Sequence, residues 1–134
     1  MYCFDTDTLS ISIWPNPPAH LARRLARVEP TDQCTTSVTV GELLYGVAKR
    51  GRPQISTRVR DLIRAVQTVV PFDIAAAEVY GPLRADLERA GRPLDERDLM
   101  IASICLARDL TLVTGNVRHF ERVPGLRVEN WLES

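Results

Sequence analysis

The chain has 134 residues, with 17 basic and 17 acidic side chains and a formal net charge of zero. Hydrophobic residues make up 45% and charged residues 25%, which excludes collagen-like, disordered and coiled-coil chains. A chain of this length fits one domain over residues 1–134, burying roughly two thirds of its unfolded surface without staples.

Tyr2-Cys3-Phe4 is a short apolar run that ends at Asp5 and reads as a buried strand. No basic region precedes it and a carboxylate follows at once, so it does not read as a signal peptide. Trp14-Pro15-Asn16-Pro17-Pro18 breaks the chain ahead of a helix from about Ala19 to Val28. Cys34-Thr35-Thr36-Ser37 reads as a second strand. Val40, Leu43, Leu44 and Val47 then recur at helical spacing until Gly51-Arg52-Pro53 closes the segment. Val59, Leu62, Ile63 and Val66 mark another amphipathic helix, followed by the strand-like Val69-Val70-Pro71-Phe72. Asp73 can cap a long helix towards Ala90, which Gly91-Arg92-Pro93 terminates. A helix from about Asp95 to Arg108 leads to the strand Thr111-Leu112-Val113-Thr114, and Leu126–Trp131 offers a last short strand. Strands and helices alternate throughout, which predicts an α/β sandwich around a largely parallel sheet. No apolar run reaches the roughly 20 residues that cross a bilayer, so no membrane role is expected.

Cys3, Cys34 and Cys105 are odd in number and widely spaced. They read as reduced core residues of a cytoplasmic protein, not as a disulfide frame or zinc site. A zero net charge argues against gripping nucleic acid by bulk charge alone. Yet Lys49, Arg50, Arg52, Arg58, Arg60 and Arg64 face only Asp61 over residues 49–64, which makes either a solvated helix face or a phosphate-facing surface. Gly46-Val47-Ala48-Lys49-Arg50-Gly51-Arg52-Pro53 has the glycine spacing of a P-loop but lacks its Lys-Ser/Thr ending, so it reads as a turn. His20 and His119 are too few and too distant for zinc.

Three carboxylates hold telling positions. Asp5 closes the first strand, and ligands of open α/β sheets bind beyond the carboxyl ends of strands; the alternative is a turn or helix-capping Asp. Glu42 lies in a helix that is apolar on most sides, although Thr39 and Glu42 also have the spacing of a capping box. Asp98 shares a helix face with Ile101, Ala102 and Cys105, or else pairs with Asp95 as a cap. Thr114-Gly115-Asn116 adds a hydroxyl, a flexible turn and an amide at the same sheet edge. Hard oxygen ligands without His or Cys select Mg²⁺ or Mn²⁺ over zinc, and crowded carboxylates repel unless a cation neutralises them.

The ordered set Phe4-Asp5-Thr6-Asp7-Thr8-Leu9, Ser37–Val47, Asp98-Leu99-Met100-Ile101-Ala102 and Leu112-Val113-Thr114-Gly115-Asn116 resembles the successive motifs of PIN-domain ribonucleases. The ending Arg118–Trp131 is similar to the tail of VapC-type toxins of bacterial toxin–antitoxin pairs. The resemblance implies a three-layer α/β/α sandwich with a mostly parallel sheet of about five short strands. It also implies an Mg²⁺-dependent endoribonuclease, with Mn²⁺ as a substitute. Asp5, Glu42, Asp98, Thr114 and Asn116 would form its site. Asp5 and Asp98 would ligate the metal, and Glu42 would act on metal-bound water. Arg50, Arg52 and Arg58 are candidates for holding the RNA backbone. A VapB-type antitoxin and a homodimer are the implied protein partners. Two departures stand out: Asp7 replaces the usual Asn or Ser, and Asn116 stands where many relatives carry a fourth Asp. One alternative is a non-catalytic RNA- or protein-binding module of the same fold. Another is a haloacid-dehalogenase-like phosphatase using Asp5, for which Leu9 stands where Thr is needed.

Overall fold

The computed structural model of the chain describes residues 1–12, 16–66 and 68–133. The described elements run β1 (Tyr2–Phe4), α1 (Thr6–Ser12), α2 (Ala19–Arg27), β2 (Gln33–Thr36), α3 (Ser37–Arg50), α4 (Pro53–Ala65) and β3 (Val69–Val70). They continue with α5 (Ile74–Arg89), α6 (Glu96–Arg108), β4 (Thr111–Val113), α7 (Val117–Phe120) and β5 (Val128–Glu129). The five strands lie in the order β3-β2-β1-β4-β5 and every pairing is parallel. The expected sheet is therefore present, and its parallelism is complete among these strands.

Alternation along the strands makes the layers. Cys3, Cys34, Val70 and Leu112 face one apolar cluster with Leu83 and Leu87 of α5 and Leu99, Ile101, Ile104 and Cys105 of α6. Phe4 and Val113, on the other parity, face Leu9 of α1, Leu21 of α2, Leu43 of α3 and Val59 of α4. A parallel sheet covered on both faces by its crossover helices is the expected outcome of such a pattern. The three cysteines are free and buried, as core residues should be. Trp131 seals the second cluster: fully buried, it packs 5.0 Å from the Tyr2 ring and 5.3 Å from Phe4, edge on. Its Nε1 donates to Glu129, which also takes Arg24 at 2.7 Å, while the Arg24 guanidinium lies 4.7 Å over the indole.

Local chemistry sets the helix ends. Thr36 caps α3 by accepting from the Thr39 N–H, and Asp73 caps α5 by accepting from the Ala76 N–H. Gly51 ends α3 at φ 63°, a left-handed conformation that glycine adopts without strain. Residues 46–50 are thus the last turn of α3, and only Gly51-Arg52 forms the turn expected across 46–53. The helix α1 has no counterpart among the expected elements. Of the Pro-rich stretch, Trp14 and Pro15 lie outside the described residues. No helix among them is long and apolar enough to cross a membrane.

The strand order places the site. From β1 the chain builds outward to β2 and β3 on one side, then crosses to β4 and β5 on the other. The carboxyl end of β1 is therefore a topological switch point, where the loops on its two sides part and leave a crevice. Asp5 stands directly at it.

Candidate active site

Asp5 follows β1 and is buried, at 6% exposure. Its Oδ1 accepts the Thr8 N–H at 2.9 Å and its carbonyl accepts the Leu9 N–H at 3.1 Å, so Asp5 caps α1. The capping and the ligand readings of this residue are thus compatible. Burial pushes its carboxyl above the ordinary range, while hydrogen bonds from Thr114 and Thr8 pull it back. Two neighbouring threonines satisfy the carbonyls at the strand ends. Thr8 Oγ1 donates to the Val113 carbonyl at 3.1 Å, and Thr35 Oγ1 donates to the Phe4 carbonyl at 2.7 Å.

Glu42 lies in the second turn of α3. The capping-box reading with Thr39 does not hold, because Thr36 is the cap and Thr39 is already inside the helix. Glu42 instead accepts from Thr6 Oγ1 at 3.3 Å and pairs with Arg97 at 3.6 Å. Asp98 sits in the first turn of α6 behind Asp95, whose side chain makes no capping hydrogen bond. Its carboxyl is pushed up to about 6 by burial, then by Asp95 and Glu42, against the pull of His119. Asp5 adds to that repulsion. Helix α6 runs back along the sheet toward β4, which brings its N-terminus to the carboxyl edge.

Asp5, Thr6, Asp7, Glu42, Asp98 and Asn116 line one small pocket of about 70 Å³, closed below by Ile101 and Phe120. Thr114 is fully buried beside it, and its hydroxyl accepts the Asn116 N–H at 3.0 Å. Gly115 between them packs closely: a Cβ there would come within 2.9 Å of Leu132 Cδ1 and push that side chain aside. A groove of about 310 Å³ opens from the same place and shares Thr6 and Glu42 with the pocket. Arg50 and Arg58 line it, with Leu43, Val47 and Ile55. Arg52, the N-terminal flank of α4, does not. Local spacing gives no sign of Arg97 or His119, since their partners Glu42 and Asp98 lie far away in the chain.

The donors fit a hard divalent cation. All are oxygens, and a cation would relieve Asp98, whose carboxyl is raised by burial and then by the charges of Asp95, Glu42 and Asp5. Among the described residues no three acidic, His or Cys side chains stand close enough to enclose an ion. Mg²⁺ suits such a partial shell, because it keeps several waters and takes one or two carboxylates.

Residues 2–126 match the PIN domain. Relatives of nearly equal length agree with it. The chain is 36% identical to the tRNA(fMet)-specific endonuclease VapC of Salmonella typhimurium, over 97% of each chain. It is 38% identical to the protein of that name from Shigella flexneri, again over 97% of each. The chain belongs to the VapC branch of the PIN-domain family. Its fold superimposes on that of a chain in the crystal structure of DNA-bound VapBC from Salmonella typhimurium with a TM-score of 0.85, at 35% identity and over 97% of each chain. In this VapC-family chain the phosphatase alternative has no support. Leu9, where that motif needs Thr, is a buried core residue.

The Asp98 carboxyl makes a prediction about the metal-free protein. A carboxyl raised in the fold binds its proton more tightly folded than unfolded, so the fold loses stability as pH rises from near 4 through about 6. Asp98→Asn removes that loss. In EDTA its melting temperature should match the wild type near pH 4 and exceed it increasingly up to pH 7, as read by thermal melts across that range. Parallel curves at all pH values would mean that Asp98 carries no such strain.

Proposed function

We propose that this VapC-family ribonuclease is the toxin of a toxin–antitoxin pair and cuts RNA with a divalent ion, Mg²⁺ or Mn²⁺, held by Asp5 and Asp98. The observation that supports this most is the convergence of Asp5, Glu42 and Asp98 on one pocket at the switch point of the sheet. A bound ion there would polarise the phosphodiester, lower the pKa of its water and offset charge in the in-line transition state.

The chain's own residues divide the remaining work. Asp5 is locked by its cap to α1 and supplies a fixed ligand. Asp98 supplies a second carboxylate whose charge is the least compensated. Glu42, at the mouth shared with the arginine groove, takes the proton of the attacking water. Thr114 steadies Asp5 and holds Asn116 through its hydroxyl. Arg50 and Arg58 hold the RNA backbone beside the acids, which cannot attract a polyanion themselves.

Partners follow from the family. The solved relative from Salmonella is a VapBC complex, and a VapB-type antitoxin is the partner proposed for this chain. The curated relatives from Salmonella and Shigella carry tRNA(fMet) in their names, which makes that RNA the first substrate to assay. The exposed Tyr45 and Ile74, on the helices α3 and α5, are the apolar side chains proposed to carry a homodimer contact. Sedimentation at micromolar concentration should find the dimer, and Tyr45→Ser with Ile74→Ser should shift it to monomer; a wild-type monomer overturns this.

Cleavage should require Mg²⁺ or Mn²⁺ and stop in EDTA. Asp98→Asn keeps nearly the same shape but loses a charged ligand, so its rate should fall roughly a hundredfold or more. Full activity in EDTA or in Asp98→Asn would refute the site, and tight RNA binding without cleavage would mark a binding module instead.

The arginines act on affinity. Arg50→Ala with Arg58→Ala should weaken binding to inactive Asp98→Asn protein and lower the slope of log affinity against log salt. The slope should drop by about 0.7 for each single-strand phosphate that is no longer neutralised. An unchanged slope would place the RNA elsewhere.

A further inference from the structure

Asn116 and His119 form a pair at the rim of the acidic pocket. Asn116 lines that pocket, and its Nδ2 lies 2.7 Å from Nδ1 of His119. Its backbone is held as well: the N–H donates to Thr114 Oγ1 at 3.0 Å, and the carbonyl accepts the His119 N–H at 3.2 Å. His119 Nδ1 also lies 4.0 Å from Oδ2 of Asp98, so the imidazole stands between the amide and an acid of the pocket.

The two ends of a side-chain amide are not equivalent, since the oxygen only accepts and the nitrogen only donates. Toward a cation the oxygen is attractive and the N–H₂ group repulsive. An Asn at a metal pocket is therefore useful in one of its two orientations. With Nδ2 committed to His119, the oxygen is the end left for the pocket. That commitment requires an acceptor at Nδ1, which the Nε2–H tautomer of imidazole provides.

We propose that His119 is a positioning residue, which holds the Asn116 amide so that Oδ1 serves the divalent ion as a neutral oxygen donor, directly or through its water. This role rests on the metal-dependent reading above. It follows that the need for His119 comes from the amide. A carboxylate at 116 has two equal oxygens and presents one to the pocket in either orientation.

Titrating Mn²⁺ into metal-free protein and following the melting temperature tests this without any RNA. Groups that orient a metal site typically matter by ten- to a hundredfold in affinity. His119→Ala should melt near the wild-type temperature in EDTA but need about tenfold more Mn²⁺ for half its stabilisation. His119→Asn puts an amide oxygen at the place of Nδ1 and should restore the wild-type midpoint. In an Asn116→Asp background, His119→Ala should cost less than twofold. If Mn²⁺ fails to stabilise the wild type, the metal-dependent reading fails and this role falls with it. If the wild type responds and His119→Ala responds at the same midpoint, only the positioning role is overturned. A loss that persists undiminished in Asn116→Asp, or that appears equally in EDTA, overturns it too, because His119 would then act on Asp98 or on α7 alone.

Discussion

A carboxylate held out of water at the end of the central strand is the constraint around which this structure is arranged. Asp5 is 6% exposed, and an ionised carboxylate so placed costs several kcal/mol unless hydrogen bonds or a counter-charge offset it. The Thr8 N–H and the Thr114 hydroxyl offset part of that, yet burial still dominates and raises the carboxyl. Asp98 and Glu42 bring two further acids to the same pocket, where the charges of Glu42 and Asp5 both help to raise the Asp98 carboxyl. Packing alone would favour apolar or neutral groups at these positions. Three acids at the switch point make physical sense as one half of an arrangement whose other half is a cation.

The zero net charge conceals a division of sign. The acids gather at the carboxyl edge of the sheet, while Arg50 and Arg58 line the groove that opens from it between α3 and α4. On the proposed reading, a polyanion would be held by these neighbours of the acids, and its phosphate would meet the acids only through an ion. Arg97 modifies the picture from the other side. It pairs with both Glu42 and Asp95, so it offsets acidic charge at the edge of the pocket.

The layers are legible in the sequence because both periods are clean. Alternation at Cys3/Phe4 and Leu112/Val113 sends neighbours to opposite clusters, and the helices of both layers carry their apolar stripes at helical spacing. Asp5 and Asp98 are legible for a related reason, since one follows a strand and the other opens a helix, whereas Glu42 stands out by its place among the apolar residues of α3. The helix α1 is not. Apart from Leu9, its residues Thr6-Asp7-Thr8-Leu9-Ser10-Ile11-Ser12 are poor helix formers, and its start depends on the Asp5 cap and on Thr8 reaching the Val113 carbonyl. Glu42 looks like part of a cap because Thr36 and Thr39 offer the same chemistry three residues apart, and only the end of β2 decides between them. Arg97 and His119 act on acids from other elements, so no local spacing can announce them.

The manner in which each acid is held argues for separate roles within one centre. Asp5 is fixed by the backbone of its own helix and can move least, which suits a ligand that defines where an ion sits. Asp98 faces His119 at 4.0 Å and the Arg97 charge, yet burial, Asp95, Glu42 and Asp5 still raise its carboxyl to about 6, so a cation there would relieve it. Glu42 is tied more loosely, to the Thr6 hydroxyl at 3.3 Å and to Arg97 at 3.6 Å. It also borders both the acidic pocket and the arginine groove. A carboxylate that is loosely tied, charge-balanced and at the junction of ion and substrate is the one placed to exchange a proton. The hydrogen bonds thus support the proposed division, in which the rigid acid and the strained acid would hold the ion and the balanced acid would serve the water.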